Sequence, residues 1–496
     1  MWEIINIGGR AMGHMEVRVA GKPMRAPLMT VLLLLALLLS SIYCFGMALA
    51  WGEVGLREAF LALSMEGLFF IIVVTLCALN KRLFIFDPFV FVLILHILLF
   101  YAAPIFQFSS GQTDRYGVEV APYCLEGTAL VMLGITAFFL SNQIKLGESR
   151  KSKTSFYHEP PVSCKLLLYR VSLGLWICAY VISVFYYLRR GYGLAFILTG
   201  GFGSGVSDSV LSEDSLAFLA YFKLVLVPTW LVICVYGNNT AIKILLLLGT
   251  AAIMMLSGGR AAMLIVILAP IVYFYAGKQE NPNSLAVLIG LALLIALFAI
   301  MQVTRVGVRS GAAFDLSNLS FDKLFSPFVA EIDDFKSFYA LLPIFPEKRD
   351  FLFGSQMIVY SLVLLIPRRI WPGKPSPQIY DIVLQSLGPQ AVLNGNSYPA
   401  IGEYFVEFGI AGVIGCYFLL GIACRKMRRM SLRASRGSLA LISYSLFYSV
   451  LLNLVLRGYF PQNFTTLLFI FAPIALLSFI SKRQLKIECS RNNLEK

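Results

Sequence analysis

Charge is scarce in this chain. Of its 496 residues only 14% are Asp, Glu, Lys or Arg, against 58% hydrophobic, and the mean hydropathy is +0.78. A soluble globular chain carries roughly a quarter charged residues, so that class is excluded. Histidine is scarcer still: His14, His96 and His158 are the only three. Two of these fall in predicted cytoplasmic segments and His96 within a predicted span, which argues against a His-based metal or acid/base centre on the outer face. The nine Cys show neither C-x-x-C spacing nor a disulfide framework, so neither a metal nor another cofactor is expected. No internal repeat at a fixed period is present, which removes the best sequence cue for a transporter of two matched halves. The formal net charge of +14 invites a nucleic-acid reading. The Lys and Arg, however, lie between long apolar runs rather than on a polar surface, and no nucleic-acid partner is expected.

Those apolar runs lie near 27–51, 59–80, 83–105, 123–142, 166–188, 215–237, 244–257, 261–277, 285–302, 399–421, 438–456 and 464–480. In lipid the backbone must satisfy its own polar groups, and runs of about 14 to 25 residues do so as helices. The predicted fold is an all-α polytopic integral membrane protein of about twelve transmembrane helices. The first run reads as a retained span rather than a signal peptide. Three regions are expected: a membrane bundle over 1–302, a large extracytoplasmic loop region over 303–398, and three helices with a cytoplasmic tail over 399–496. With the N-terminus in the cytoplasm, the inner segments hold 24 of the 41 basic residues, including Arg425, Lys426, Arg428, Arg429, Arg433 and Arg436. The positive-inside rule therefore predicts both termini cytoplasmic. The outer segments hold 15 basic and 15 acidic residues, so any grip on an anion there must come from a few placed Arg.

Several outer positions are candidates. The run Ile244–Ser257 reaches only about 21 Å against a hydrocarbon core near 30 Å, which sets the turn Ser257-Gly258-Gly259-Arg260 below the outer surface. Arg260 then either faces a polar cavity or bound anion, or snorkels to headgroups. Arg305 and Arg309 share a helical face at i, i+4, Arg368 and Arg369 stand beside Pro367 and Trp371, and Arg457 lies in the last outer loop. Guanidinium groups suit a bidentate grip on phosphate or pyrophosphate, and each singly also suits an interfacial anchor. In Gly402-Glu403-Tyr404-Phe405-Val406-Glu407-Phe408-Gly409 two carboxylates share a face. Glu403 or Glu407 either orients an Arg, takes a proton from a sugar hydroxyl, or forms a structural pair with an Arg. Glu66 falls inside a span as an edge residue or half of a buried pair. The apolar stretch Met357–Ile366 is too short to span and is expected to lie on the membrane or pack within the loop region.

The turn Ser257-Gly258-Gly259-Arg260-Ala261 resembles the element closing a span in bacterial O-antigen polymerases (Wzy-type oligosaccharide repeat-unit polymerases) and the related O-antigen ligases. Asn396-Ser397-Tyr398, Gly402-Glu403-Tyr404 and Phe408-Gly409-Ile410-Ala411-Gly412 resemble the stretch leading from their large periplasmic loop into the next span. The ligases carry a His just before that Asn, where this chain has Gly395, which favours the polymerase. The resemblance implies a GT-C-like helical bundle in the bacterial inner membrane. It implies glycosyl transfer between undecaprenyl-pyrophosphate-linked oligosaccharides at the outer face, building O-antigen, capsule or exopolysaccharide. On that reading Arg260, Arg305 and Glu403 are catalytic, and Arg309, Arg457, Arg368, Arg369, Glu407, Asn396 and Tyr404 bind substrate. Membrane lipid, a chain-length regulator and the flippase of the same pathway are the expected partners. An O-antigen ligase or a lipid-linked glycan flippase are the alternatives.

Overall fold

The computed structural model describes residues 28–50, 53–79, 84–115, 117–143, 156–189, 191–194, 217–256, 260–283, 289–290, 293, 333–364, 366, 370–374 and 398–494. Among these, nine helices are long and apolar enough to cross a membrane. They are α1 (Leu28–Ala50), α2 (Val54–Leu79), α3 (Pro88–Ser109), α4 (Cys124–Leu140), α5 (Val162–Arg189), α6 (Leu226–Tyr236, entered through a 3-10 turn at Ala217–Val225), and three C-terminal helices. Between them come the shorter α7 (Thr240–Leu256), α8 (Arg260–Lys278), α9 (Asp334–Leu341) and α10 (Ser355–Leu364). The last three are α11 (Ala400–Arg433), α12 (Leu439–Leu456) and α13 (Phe460–Leu494). The strands among the described residues are a minimal hairpin, β1 (Asp114–Arg115) with β2 (Val118–Glu119). The all-α polytopic architecture is the one the hydropathy predicts. The expected span over 285–302 falls almost wholly outside the described residues.

Hydrogen bonds sort the helix ends onto two faces. At one face the Tyr236 hydroxyl donates to the Gly437 carbonyl at 2.9 Å, and Arg436 Nε donates to the Gly277 carbonyl at 2.9 Å. There also Ser435 N–H reaches Tyr157 O, and Arg428 Nε pairs with Asp87 at 2.7 Å. Asp87 caps α3 by accepting the Phe89 N–H at 3.0 Å, with Pro88 in the first helical turn. This end carries the Arg of the α11–α12 connection and is the basic face. At the opposite end, the loop face, Arg115 of the hairpin meets Asp333, and α13 begins against Glu403.

On the lipid-facing belt α11 exposes Ile410, Ile414 and Leu419, and α13 exposes Leu468, Leu476 and Phe479. In α3 the ladder widens to a π turn over Ile97–Ala102. Pro104, in the turn that follows, has no N–H to close an α-helical bond back to Phe100, which accounts for the wider step.

The described part of the loop region packs directly onto the membrane helices. Every residue of α9 is buried, including Asp334 and Lys336. Its charges are matched locally: Arg115 Nη1 pairs with Asp333 at 2.6 Å, and Lys336 Nζ with Asp333 at 2.9 Å. Lys336 Nζ donates further to Gln107 Oε1 at 3.3 Å, and Arg115 Nε to Ser337 Oγ at 3.1 Å. The ring of Tyr339 enters the bundle against Gly127, where a Cβ would stand 2.1 Å from it, so α4 needs a glycine at this crossing.

Glu66, on α2, is fully buried, and neither carboxyl oxygen has a hydrogen-bond partner among the described residues. A carboxyl so placed loses its hydration without replacement. Glu66→Met is therefore expected to raise stability by about 1–3 kcal/mol, read as a higher thermal midpoint in detergent. A lowered midpoint would mean that Glu66 has a stabilising partner.

Candidate active site

Three helices bring their ends together at the loop face. α8 and α12 pack antiparallel, with Gly277 against Leu441. Counting back along α8 and forward along α12 from that contact, Arg260, the first residue of α8, stands level with Arg457 and Gly458 at the end of α12. Helices in contact lie about 8–10 Å apart, which sets these two backbone positions at neighbouring helix ends. α7 spans 17 residues, about 25 Å, and is shorter than a full crossing; Ser257, Gly258 and Gly259, between it and α8, lie outside the described residues. The structure adds Thr240–Lys243 to the apolar run at its basic-face end.

The third contributor is α11, which is broken. Phe408 (φ −142°, ψ 15°) and Gly409 (φ 62°, ψ −149°) leave helical geometry, and the second is a conformation that only glycine adopts without strain. The Phe351 ring occupies the space beside Gly409, 3.0 Å from where a Cβ would stand. The carbonyls of Val406 and Glu407 instead accept the N–H groups of Leu352 and Phe353, at 3.0 and 2.8 Å.

Both carboxylates of α11 are buried, and among the described residues their hydrogen-bond partners are backbone amides, not Arg side chains. Glu403 accepts the Phe460 N–H at 2.9 and 2.8 Å through its two oxygens, which caps the start of α13. Glu407 accepts the Gly354 N–H at 2.7 Å and the Met357 N–H at 2.9 Å, with Gln356 N–H as a further donor. It holds the first turn of α10 in the same way. Sequence spacing put the two carboxylates on one face. It gave no sign that each would cap a different helix start.

Arg457 is half-buried in a turn pinned from two sides. Its carbonyl accepts from Asn463 Nδ2 at 2.9 Å, and the Gly458 N–H donates to Tyr398 O at 2.7 Å. Tyr404 is buried with its ring edge on Tyr417, and the Tyr417 hydroxyl meets His96 Nε2. His96 Nδ1 donates to Val92 O at 2.7 Å, so this histidine serves the packing of α3 on α11. The structure thus brings Arg260, Glu403, Glu407 and Arg457 to one end of the bundle and turns Tyr404 inward. Arg305, Arg309, Arg368, Arg369 and Asn396 lie outside the described residues. Lys374 was not singled out from the sequence. Its Nζ donates to Leu364 O at 2.9 Å and Ile366 O at 3.1 Å, tying together residues that flank Arg368 and Arg369 in the chain. No group of three His, Cys, Asp or Glu among the described residues is arranged to hold a metal ion.

A polytopic helical membrane protein with Arg and carboxylate positions gathered at one face is the class that the fold and site define. Residues 28–486 match the family model of O-antigen polysaccharide polymerase Wzy. The chain belongs to this family and is a multi-pass inner-membrane protein of surface polysaccharide polymerisation. No curated protein and no solved structure matches it.

Proposed function

We propose that this chain joins oligosaccharide repeat units carried on undecaprenyl pyrophosphate, at a loop face that is periplasmic, with both termini cytoplasmic. The observation that carries this reading is the convergence of the α8 start, the α12 end and the α11 carboxylates at one face. In the reaction the bond between the growing glycan and its lipid pyrophosphate breaks. A bond forms to a sugar hydroxyl of the next lipid-linked unit, and the hydroxyl proton leaves. Charge develops on the departing pyrophosphate, so preorganised donors are the main requirement. Arg260 stands at the N-terminus of a 19-residue helix, where free backbone N–H groups and the helix dipole also favour an anion.

Arg260 and Arg305 hold the pyrophosphate, and Arg309, Arg457, Arg368 and Arg369 assist. Glu403, which accepts Phe460 N–H through both oxygens, acts as an orienter of the α12–α13 turn that carries Arg457. Glu407, Asn396 and Tyr404 shape the substrate site. A chain-length regulator and the flippase of the same pathway are the proposed partners. Purified protein in liposomes with lipid-linked repeat units is expected to give a ladder of lengthened products. Transfer to lipid A core alone would assign a ligase, and side-switching without lengthening a flippase.

A further inference from the structure

The helix α10 is inside out for a segment surrounded by water. Its buried positions include Gln356, Tyr360 and Ser361, while its exposed face is wholly aliphatic: Ile358 is 58% exposed, Val359 57% and Leu362 61%. These three share one side at i, i+1 and i+4. A surface helix in water shows the reverse arrangement, with its apolar stripe against the core. No charged residue occurs from Phe351 to Pro367, and Arg368, Arg369 and Trp371 follow immediately. At the start of the segment, Phe353 is 73% exposed and held at φ 47°, with Gly354 at φ 84° after it. A bulky residue rarely adopts positive φ, and here the Phe353 N–H bond to the Glu407 carbonyl, at 2.8 Å, holds it there. Beyond the helix, Ile370 is 75% exposed and Trp371 is also exposed.

The depth of this face follows from α11. Glu407 fixes the first turn of α10, and the lipid-facing side of α11 begins three residues further on, at Ile410. The exposed side of α10 is therefore continuous with the lipid-facing belt of α11 and α13, on which the helix packs. We propose that the stretch from Phe353 to Leu364, together with Ile370 and Trp371, forms a membrane-inserted wedge. The face of Phe353, Ile358, Val359, Leu362 and Ile370 lies among acyl chains of the leaflet on the loop face, and Trp371 sits at headgroup level. An uncharged helix with a Trp and basic residues at its end has the composition of an interfacial anchor. This occupant is bulk lipid, so the inference stands independently of the proposed reaction.

The test uses the full-length protein in lipid nanodiscs, with a small fluorescent non-natural amino acid at Ile358 or Leu362. Ile370, outside the helix, is the second site should a label in α10 lower the thermal midpoint. Nitroxide-labelled acyl chains are expected to quench the probe strongly and aqueous iodide weakly, as for a depth of about 5–10 Å below the headgroups. Dominant quenching by iodide would place the face in water and overturn the proposal. Protection from both quenchers would overturn it as well, because a second copy or another protein would then cover the face.

Discussion

Arg260→Ala is expected to lower polymer formation by about 10²- to 10³-fold, the effect of removing one preorganised donor from developing transition-state charge. The loss should come without a loss of stability. Arg260 is the first residue of α8, and a cation at a helix N-terminus faces the positive end of the dipole. Replacing it by Ala removes that conflict, so the thermal midpoint in detergent is expected to hold or rise slightly. Arg260→Lys should fall between the two, since an ammonium keeps the charge and loses the two-pronged grip. The measurement is polymer length and amount from equal quantities of reconstituted protein. Unchanged products from the Ala variant would remove Arg260 from the site.

Glu407→Ala is expected to act through the fold. It strands the Gly354, Gln356 and Met357 N–H groups in a buried place, at a cost on the order of 3 kcal/mol or more. The start of α10 should come away from α11, read as a lowered thermal midpoint together with new protease cleavage between Phe353 and Lys374. Glu407→Gln keeps one acceptor oxygen and should lie between the two proteins. An unchanged midpoint for Glu407→Ala would show that the Leu352 and Phe353 backbone bonds hold the turn without the carboxylate. The two variants are thus expected to separate: one loses activity on an intact fold, the other loses both.

Hydropathy made most of the fold legible, because a span must be apolar over its whole length whatever it packs against. The break between α7 and α8 was legible for the same reason, as the gap between two short runs. What the sequence did not disclose depends on neighbours distant in the chain. Asp333, Asp334 and Lys336 fall within the expected loop region, yet they are built into the bundle because Arg115 and Gln107, more than 200 positions earlier, complete their pairs. Glu403 and Glu407 read as partners for Arg or as a base toward a sugar hydroxyl. A carboxylate's choice between a guanidinium and a helix start cannot be made until the starts of α10 and α13 are known to lie against α11. Met357–Ile366 showed its length and apolarity but not which side it would turn outward.

The antiparallel register of α8 and α12 sets the separation of Arg260 and Arg457 by helix geometry alone. Each residue added inside either helix would raise its arginine by about 1.5 Å and swing it by roughly 100° around the axis. Residues added to the turns beyond would leave both where they are. Insertions and deletions among related chains should accordingly gather in the connections, while the lengths from 260 to 277 and from 441 to 457 stay matched as a pair.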